Sequence, residues 1–455
     1  MNQDAVPNVT KWCDGLKFNR FHGLLVILGV LTLIFDGYDS QILSYVLPQM
    51  LKEWHLSPVM GGSIVTWGSI GVMIGSIGLG MLADRIGRKI PLILGLFMFS
   101  FFSGALYWAP DFKTFVILRF LAGLGIGGGM TLTITYASEF APARIRGAMV
   151  TTMFIGFMIG PAIAGTISIL CVPVYGWRIV LFFGFLPLVF IPFLYWLMPE
   201  SIRFLAQKGQ YDRAIKELRR MERAAHVAPQ KWVPESFVFP PAYRASVKHL
   251  FTSKLAAMTI LIWIVYFMNL VIVYGVTTWL PTLLVKQGVP LVRSYGYTMM
   301  QHLGGALGTV LVGFAVDKFG RKQGLFFTYL LAGISTWLFG LAVGSPIALY
   351  VIGGALGFFI IGGNGGQHVV TGEIYPTQVR STGVGWGLTA GRFGAACGPV
   401  LGGLLQSAGV SFNHYFAWFA IPAFLSALLT LFYRINVKGE DLETVTVKLA
   451  TTDAE

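Results

Sequence analysis

Charge is scarce in this chain. Only 12% of its 455 residues are charged, against about 25% in a soluble domain, while 55% are hydrophobic. That excludes a surface written for water. Acidic residues are scarcer still, 20 against 33 Lys and Arg, for a formal net charge of +13. A basic balance can mark a nucleic-acid binder. Here the basic residues sit between apolar runs rather than on an independent soluble face, so nucleic acid is excluded as a partner. Cysteine is nearly missing. Cys13, Cys171 and Cys397 offer no metal or redox spacing and no disulfide framework. No His-Glu-x-x-His, phosphate-binding loop or Ser-x-x-Lys set stands in a credible place, so no enzyme activity and no cofactor are expected. A cleavable leader is not expected either, because the first apolar run is too long and holds two aspartates. Asn8-Val9-Thr10 matches a glycosylation sequon by chance, ahead of the first apolar run.

Long apolar runs are abundant. They fall at 24–48, 59–82, 90–109, 114–139, 147–170 and 177–198, and then at 256–281, 294–316, 323–343, 346–371, 383–408 and 414–433. Each is near the roughly 20 residues that a bilayer-crossing helix needs. The pattern predicts an all-α membrane protein of twelve transmembrane helices in two six-helix halves. The halves are 1–198 and 256–455, the second ending in a cytoplasmic tail. A cytoplasmic central loop, 199–255, joins them. With both termini cytoplasmic, only Lys52, Lys113, Arg178, Lys286 and Arg293 of the 33 basic residues fall on the outer side, and Arg119 and Arg392 lie inside spans. The opposite orientation would invert the positive-inside bias. Within the loop, Tyr211 to Ala225 reads as a basic surface helix and Val227 to Tyr243 as irregular, Pro-rich chain. The bland role for this segment is a tether lying on the anionic inner leaflet.

The halves repeat one another. Gly80-Met-Leu-Ala-Asp84-Arg85-Ile-Gly87-Arg88-Lys89 recurs as Gly313-Phe-Ala-Val-Asp317-Lys-Phe-Gly320-Arg321-Lys322. Gly71 and Gly75 map onto Gly304 and Gly308 at the same spacing. Glu139, Pro142 and Arg146 map onto Glu373, Pro376 and Arg380 at nearly the same spacing, and Gly160-Pro161 matches Gly398-Pro399. Two such matches imply parallel repeats with a substrate site between them near the midplane. Asp84, Arg85, Arg88, Lys89, Glu139, Arg146, Asp317, Arg321, Glu373 and Arg380 are expected to be gating or structural residues of the turns. The run Gly125-x-Gly127-Gly128-Gly129 lies inside a span with no strand before it, so it predicts close helix packing rather than phosphate binding.

An ionisable group inside a span costs about 2.5–3.5 kcal/mol on insertion scales, which makes it a functional candidate. Asp36 and Asp39 lie three residues apart, on one face of the first helix. Burial and a second nearby carboxylate both favour the protonated form, which suits groups that take up a proton on one side and release it on the other. The alternative is a simple pairing with a neighbouring helix. Arg119 either binds an anionic substrate, holds an aspartate of the first helix or snorkels outward. Arg392 faces the same choice. Gln301 and His302 in the eighth helix and Asn364, Gln367 and His368 in the tenth are candidates for substrate hydrogen bonds or a proton relay, although such a His is more often a satisfied interior residue. Tyr266, Tyr274 and Trp386 are candidates to contact a ring. At the repeat spacing, Asp36 falls opposite Asn269, which would leave the proton to the first half.

The Gly-x-x-x-Asp-Arg-x-Gly-Arg-Lys turn after the second helix and its copy after the eighth resemble the signature of the major facilitator superfamily, as does Pro199-Glu200-Ser201-x-Arg203-Phe204-Leu205. Within it, Asp36-Gly37-Tyr38-Asp39 resembles the Asp-Gly-x-Asp motif of the aromatic acid:proton symporters. Similar too are Trp279-Leu280-Pro281-Thr282-Leu283-Leu284, Tyr375-Pro376-Thr377, Arg380-x-Thr382-Gly383-Val384-Gly385-Trp386, Gly391-Arg392-x-Gly394 and Gly398-Pro399. The resemblance implies proton-coupled uptake of a small organic anion, by default a benzoate or hydroxybenzoate. The proton gradient would be the energy source, Asp36 and Asp39 would be required for coupling, and Asp84 and Arg88 would be the turn residues. It implies a monomer in the bacterial inner membrane, with protons, substrate and lipid as its partners. The alternatives are another branch of the superfamily (a sugar or nicotinate-like porter, or an exporter) and a non-transporting membrane sensor.

Overall fold

The computed structural model describes residues 7–239, 247–252, 255–376 and 379–433. In lipid no water satisfies an open backbone, so a spanning segment must close its hydrogen bonds within itself. Each apolar stretch is accordingly helical over nearly all its length, and most of the helices run past it into a polar flank. They are α1 (Val9–Gly15), α2 (Arg20–Glu53), α3 (Pro58–Ile86), α4 (Lys89–Ala105), α5 (Phe112–Phe140), α6 (Arg146–Tyr175), α7 (Arg178–Phe182), α8 (Leu186–Leu197), α9 (Ile202–Gln207), α10 (Tyr211–Ala225), α11 (Ala256–Lys286), α12 (Leu291–Phe319), α13 (Arg321–Leu341), α14 (Pro346–Ile374), α15 (Arg380–Ser407) and α16 (Phe412–Thr430). Among the described residues, eleven helical segments are long and apolar enough to cross a membrane, with α7 and α8 forming one of them. The twelfth span is α15, which is diluted by glycine yet helical over 28 residues. This is the twelve-helix architecture expected from the sequence.

The chain divides into two compact units. The first comprises Met1–Ser40, Ile70–Gly160 and Arg178–Ala242. The second comprises Gln41–Ser69, Pro161–Trp177 and Tyr243–Glu455. Helices α2, α3 and α6 contribute to both.

Glycine sets the helix spacing inside each unit. In the first, a Cβ on Gly71 or Gly75 would strike the carbonyl of Phe120 or Leu124, and one on Gly156 or Gly160 that of Val30 or Ile34. In the second, Gly304 and Gly308 stand equally close to the carbonyls of Gly354 and Phe358, and Gly394 and Gly398 to those of Phe267 and Val271. The repeat is therefore one of contacts as well as of letters. Gly125 approaches Gly95 and Phe99, and Gly127 approaches Val72, so the glycine run of α5 is a packing surface.

The central segment is more ordered than a tether. α10 occupies Tyr211–Ala225 as expected and buries Ala214, Leu218 and Met221, the i, i+4, i+7 stripe of an amphipathic helix. These side chains join a core with residues of α2, α4, α8 and α9 and with Trp232. The sequence did not signal α1, which closes the same core. Asn8 caps it by accepting from the Lys11 amide, Trp12 stands edge-on to Trp232 at 5.3 Å, and Thr10 donates to the Val238 carbonyl. Residues 227–239 are irregular apart from one short turn at Pro234–Ser236. Residues 240–246, 253–254, Thr377 and the tail from 434 onward lie outside the described residues.

Candidate functional site

The two repeated turns build the same ion cluster. Gly87 and Gly320 adopt φ of 104° and 97°, a region open to glycine at no steric cost, and so turn the chain between consecutive spans. In the first unit Arg88 bonds Asp84 at 2.9 Å and Glu139 at 3.2 Å. In the second, Arg321 pairs with Asp317 and takes Glu373 in a two-pronged contact, with Nη2 to Oε1 at 2.6 Å. A planar guanidinium fork suits this bidentate geometry. Arg146 Nε donates to the Ala141 carbonyl at 3.3 Å, as Arg380 Nε does to Tyr375 at 3.3 Å. Arg146 also bonds Asp14 of α1 at 3.2 Å. Arg85 is exposed. Lys89 lies over the Tyr195 ring at 4.7 Å. Glu200 is a further member whose part the sequence did not reveal. Its carboxylate accepts from the amides of Arg88, Lys89 and Ser201, while Ser201 donates to Glu139 at 2.5 Å.

In the middle of the first unit, Asp36 and Asp39 are both buried. Arg119 of α5 is buried with them, and its Nη1 forms an ion pair with Asp39 Oδ2. Arg119 Nη2 also donates to the Asp39 carbonyl at 3.3 Å. Ser103 of α4 donates to Asp39 Oδ1 at 2.6 Å. In this structure Arg119 is paired with an aspartate of the first span. Its Nε has no hydrogen-bond partner among the described residues, so one donor remains. Asp36 lies one turn away, in a small pocket with Thr32, Leu96, Phe99, Gly125, Ile126, Gly129 and Met130.

The second unit holds a different polar set. Gln367 is fully buried and donates to the Tyr433 hydroxyl at 2.8 Å. His368 Nδ1 shares a hydrogen bond with the buried Tyr266 hydroxyl at 2.9 Å. Asn269 Nδ2 donates to the Ile360 carbonyl at 3.1 Å. Gln301 and His302 are buried. Both amide atoms of Gln301, the Nε2 of His302 and the Oδ1 of Asn364 have no partner among the described residues. Trp386 is exposed and stacks on Trp263 at 5.8 Å. Arg392 and Tyr274 are half-buried.

The contacts correct one sequence expectation. Gly160 faces Ile34 and Tyr38, and Gly398 faces Val271 and Gly275. In that register Asp36 corresponds to Val273 and Asp39 to Val276, while Asn269 corresponds to Thr32. Between Ile34 and Gly71 the first half has four residues more than the second has between Val271 and Gly304. The linkers 54–57 and 287–290 are equally long, so the extra turn lies within the helices and displaces the linear match. By the same logic Phe120 matches Gly354, so Arg119 matches Gly353. The second half therefore holds apolar residues or glycine at all three positions.

Among the described residues there is no group of three or more His, Cys, Asp or Glu arranged to hold a metal. Comparison with known proteins now places the chain. The model of the family described as sugar (and other) transporter matches residues 25–449. The chain belongs to that family. It is a multi-pass membrane protein of the major facilitator superfamily. The 4-hydroxybenzoate transporter PcaK of Pseudomonas aeruginosa is 32% identical, over 95% of this chain and 98% of its own. The gallate transporter of Pseudomonas putida is 33% identical, over 94% of this chain and 95% of its own. A solved D-xylose-proton symporter has the same fold, with a TM-score of 0.72 at 19% identity, covering 91% of this chain and 98% of that one.

Proposed function

We propose that this transporter takes up an aromatic carboxylate together with protons across the bacterial inner membrane, with both termini cytoplasmic. The observation that carries the reading is the buried Asp39–Arg119 pair beside Asp36. Relatives named for 4-hydroxybenzoate and gallate transport support the substrate class.

The coupling follows from competition for one guanidinium. An ionised Asp39 occupies Arg119. When Asp39 takes a proton, Arg119 loses its counter-ion and offers its fork, together with the unpartnered Nε, to a substrate carboxylate. Loaded carrier then holds a proton and an anion in place of an internal ion pair, and the buried charge stays balanced. Asp36 is the second proton acceptor. Arg392 supplies further positive charge, while Gln301, His302, Asn364 and Gln367 hydrogen-bond the substrate, and Tyr274 and Trp386 contact its ring. The Arg88 and Arg321 clusters act as cytoplasmic latches, each within its own half, 1–198 or 256–455, during alternating access.

The test is uptake into proteoliposomes under an imposed pH gradient, with 4-hydroxybenzoate, gallate, benzoate, nicotinate and D-xylose. The expected result is acid-driven accumulation of one or more aromatic acids, which the Asp36→Asn, Asp39→Asn double variant lacks. Accumulation that persists in the double variant would remove the proton assignment. Preference for xylose would move the protein to another branch. Transport against the expected direction would make it an exporter, and no transport of any compound would favour a sensor.

A further inference from the structure

Outside the transport pathway, one cationic cluster is unexplained. α10 carries Arg213, Lys216 and Arg220 at i, i+3, i+7 spacing along one face. Arg220 Nη2 donates to the Leu197 carbonyl at 2.5 Å, which fastens this face to the last turn of the span that α8 completes. Lys89, over the Tyr195 ring, lies within electrostatic range of Arg213 and Arg220. All four cations surround one half-buried carboxylate, Glu217, which burial nevertheless pushes up from its ordinary value. Glu200, the other acid near Lys89, is occupied by three backbone amides. Among the described residues, neither Arg213 nor Lys216 makes an ion pair, and both are exposed. Beside the cluster, Tyr195 and Trp196 at the end of α8 are 52% and 80% exposed. Aromatic side chains in that position mark the headgroup level of a bilayer.

We propose that Lys89, Arg213, Lys216 and Arg220 form a binding site for the phosphate of an anionic phospholipid, at the foot of the span ended by α8. The excess of positive charge supplies the attraction, and the exposed aromatic pair places it where a headgroup phosphate lies. A soluble anion would meet the same charges, but it would have no use for a site bordered by an apolar, lipid-facing rim.

The test uses the full chain in phosphatidylcholine vesicles doped with a photoactivatable phosphatidylglycerol, followed by peptide mapping of the label. Label is expected on the stretch from Tyr195 to Arg220. It should fall in R213Q/K216Q, up to about thirtyfold at low salt for about 1 kcal/mol per basic residue. It should persist in R213K/K216R, which keeps the charge and guards against a folding defect. Unlabelled phosphatidylglycerol should compete, and inorganic phosphate should not. Labelling unchanged in R213Q/K216Q, label spread evenly over the spans, or equal competition by inorganic phosphate would overturn the proposal, the last by making this a soluble-anion site. None of these readings depends on transport.

Discussion

The Asp39–Arg119 pair makes a demand that a double-mutant cycle can measure. The side chains of Arg119 and Asp39 are 7% and 4% exposed, so water does little to screen them. Arg119→Gln removes the counter-ion and leaves Ser103 as the remaining donor to a buried carboxylate. Asp39→Asn leaves the guanidinium with a backbone carbonyl and an amide that carries no charge. Removing one partner of a buried pair costs about 3–5 kcal/mol, because the other charge stays desolvated. Replacing both by neutral amides removes that penalty and leaves a site that can hydrogen-bond internally. The double variant should therefore lie well above the sum of the singles, with a coupling of at least about 2 kcal/mol. Equilibrium unfolding in mixed micelles reads the four stabilities. Uptake read in parallel should be lost in all three variants, so the double variant is folded and silent. Single effects that add to within about 0.5 kcal/mol would show that the pair is not coupled and would refute the reasoning. A double variant that still concentrates substrate would remove Asp39 from the proton path.

Gly75→Ala should destabilise by about 1–3 kcal/mol, since its Cβ meets the Leu124 backbone, which cannot step aside. Gly78→Ala, three residues on with open space around it, should be neutral or stabilising by up to about 1 kcal/mol. Thermal stability of the purified pair decides between packing and composition. Glu373→Gln, which leaves Arg321 its weaker, more exposed partner Asp317, should cost about 1.5–3 kcal/mol and reduce transport. Hydrogen exchange of the turn around Gly320 should rise with it. Burial and the neighbouring Asp14 push the Cys13 thiol up to about 12, so little thiolate is present at pH 8. Its alkylation there should run on the order of a hundredfold slower than that of an ordinary exposed thiol, allowing for the higher nucleophilicity of a more basic thiolate. It should recover once the chain is unfolded.

Much of this was legible because lipid enforces length. A run of twenty apolar residues has few other uses, and the repeated turns gathered the charged residues of each ion cluster before any geometry was known. The weakly apolar α15 was readable through its run of small and apolar residues and its repeat partner, where hydropathy alone falls short. What escaped had no local mark. Ser103 is a small polar residue among phenylalanines, and its sequence does not say that it faces Asp39. α1 is a seven-residue helix, too short to hold itself in water; Trp12 against Trp232 and Asp14 against Arg146 hold it in place across long stretches of sequence. The match of Asp36 to Asn269 slipped by one turn because a linear spacing cannot register an extra helical turn in one half.

That slip bears on why the buried ion pair stands in one half. The contacts that bring helices together are duplicated almost residue for residue, because close packing of glycine against carbonyls adds stability wherever it occurs. A buried ion pair behaves differently. Each additional one carries its own desolvation penalty of several kcal/mol, returned only with good geometry and satisfied neighbours. In the second half, Val273, Val276 and Gly353 occupy the three positions and carry no such penalty. A carrier that couples one substrate anion to protons needs one exchangeable pair, and a second would add a site that could ionise out of step with the first. On the proposed mechanism, the duplicated scaffold with its Asp39–Arg119 pair in one half incurs that desolvation once, at the place where a proton and a carboxylate would compete.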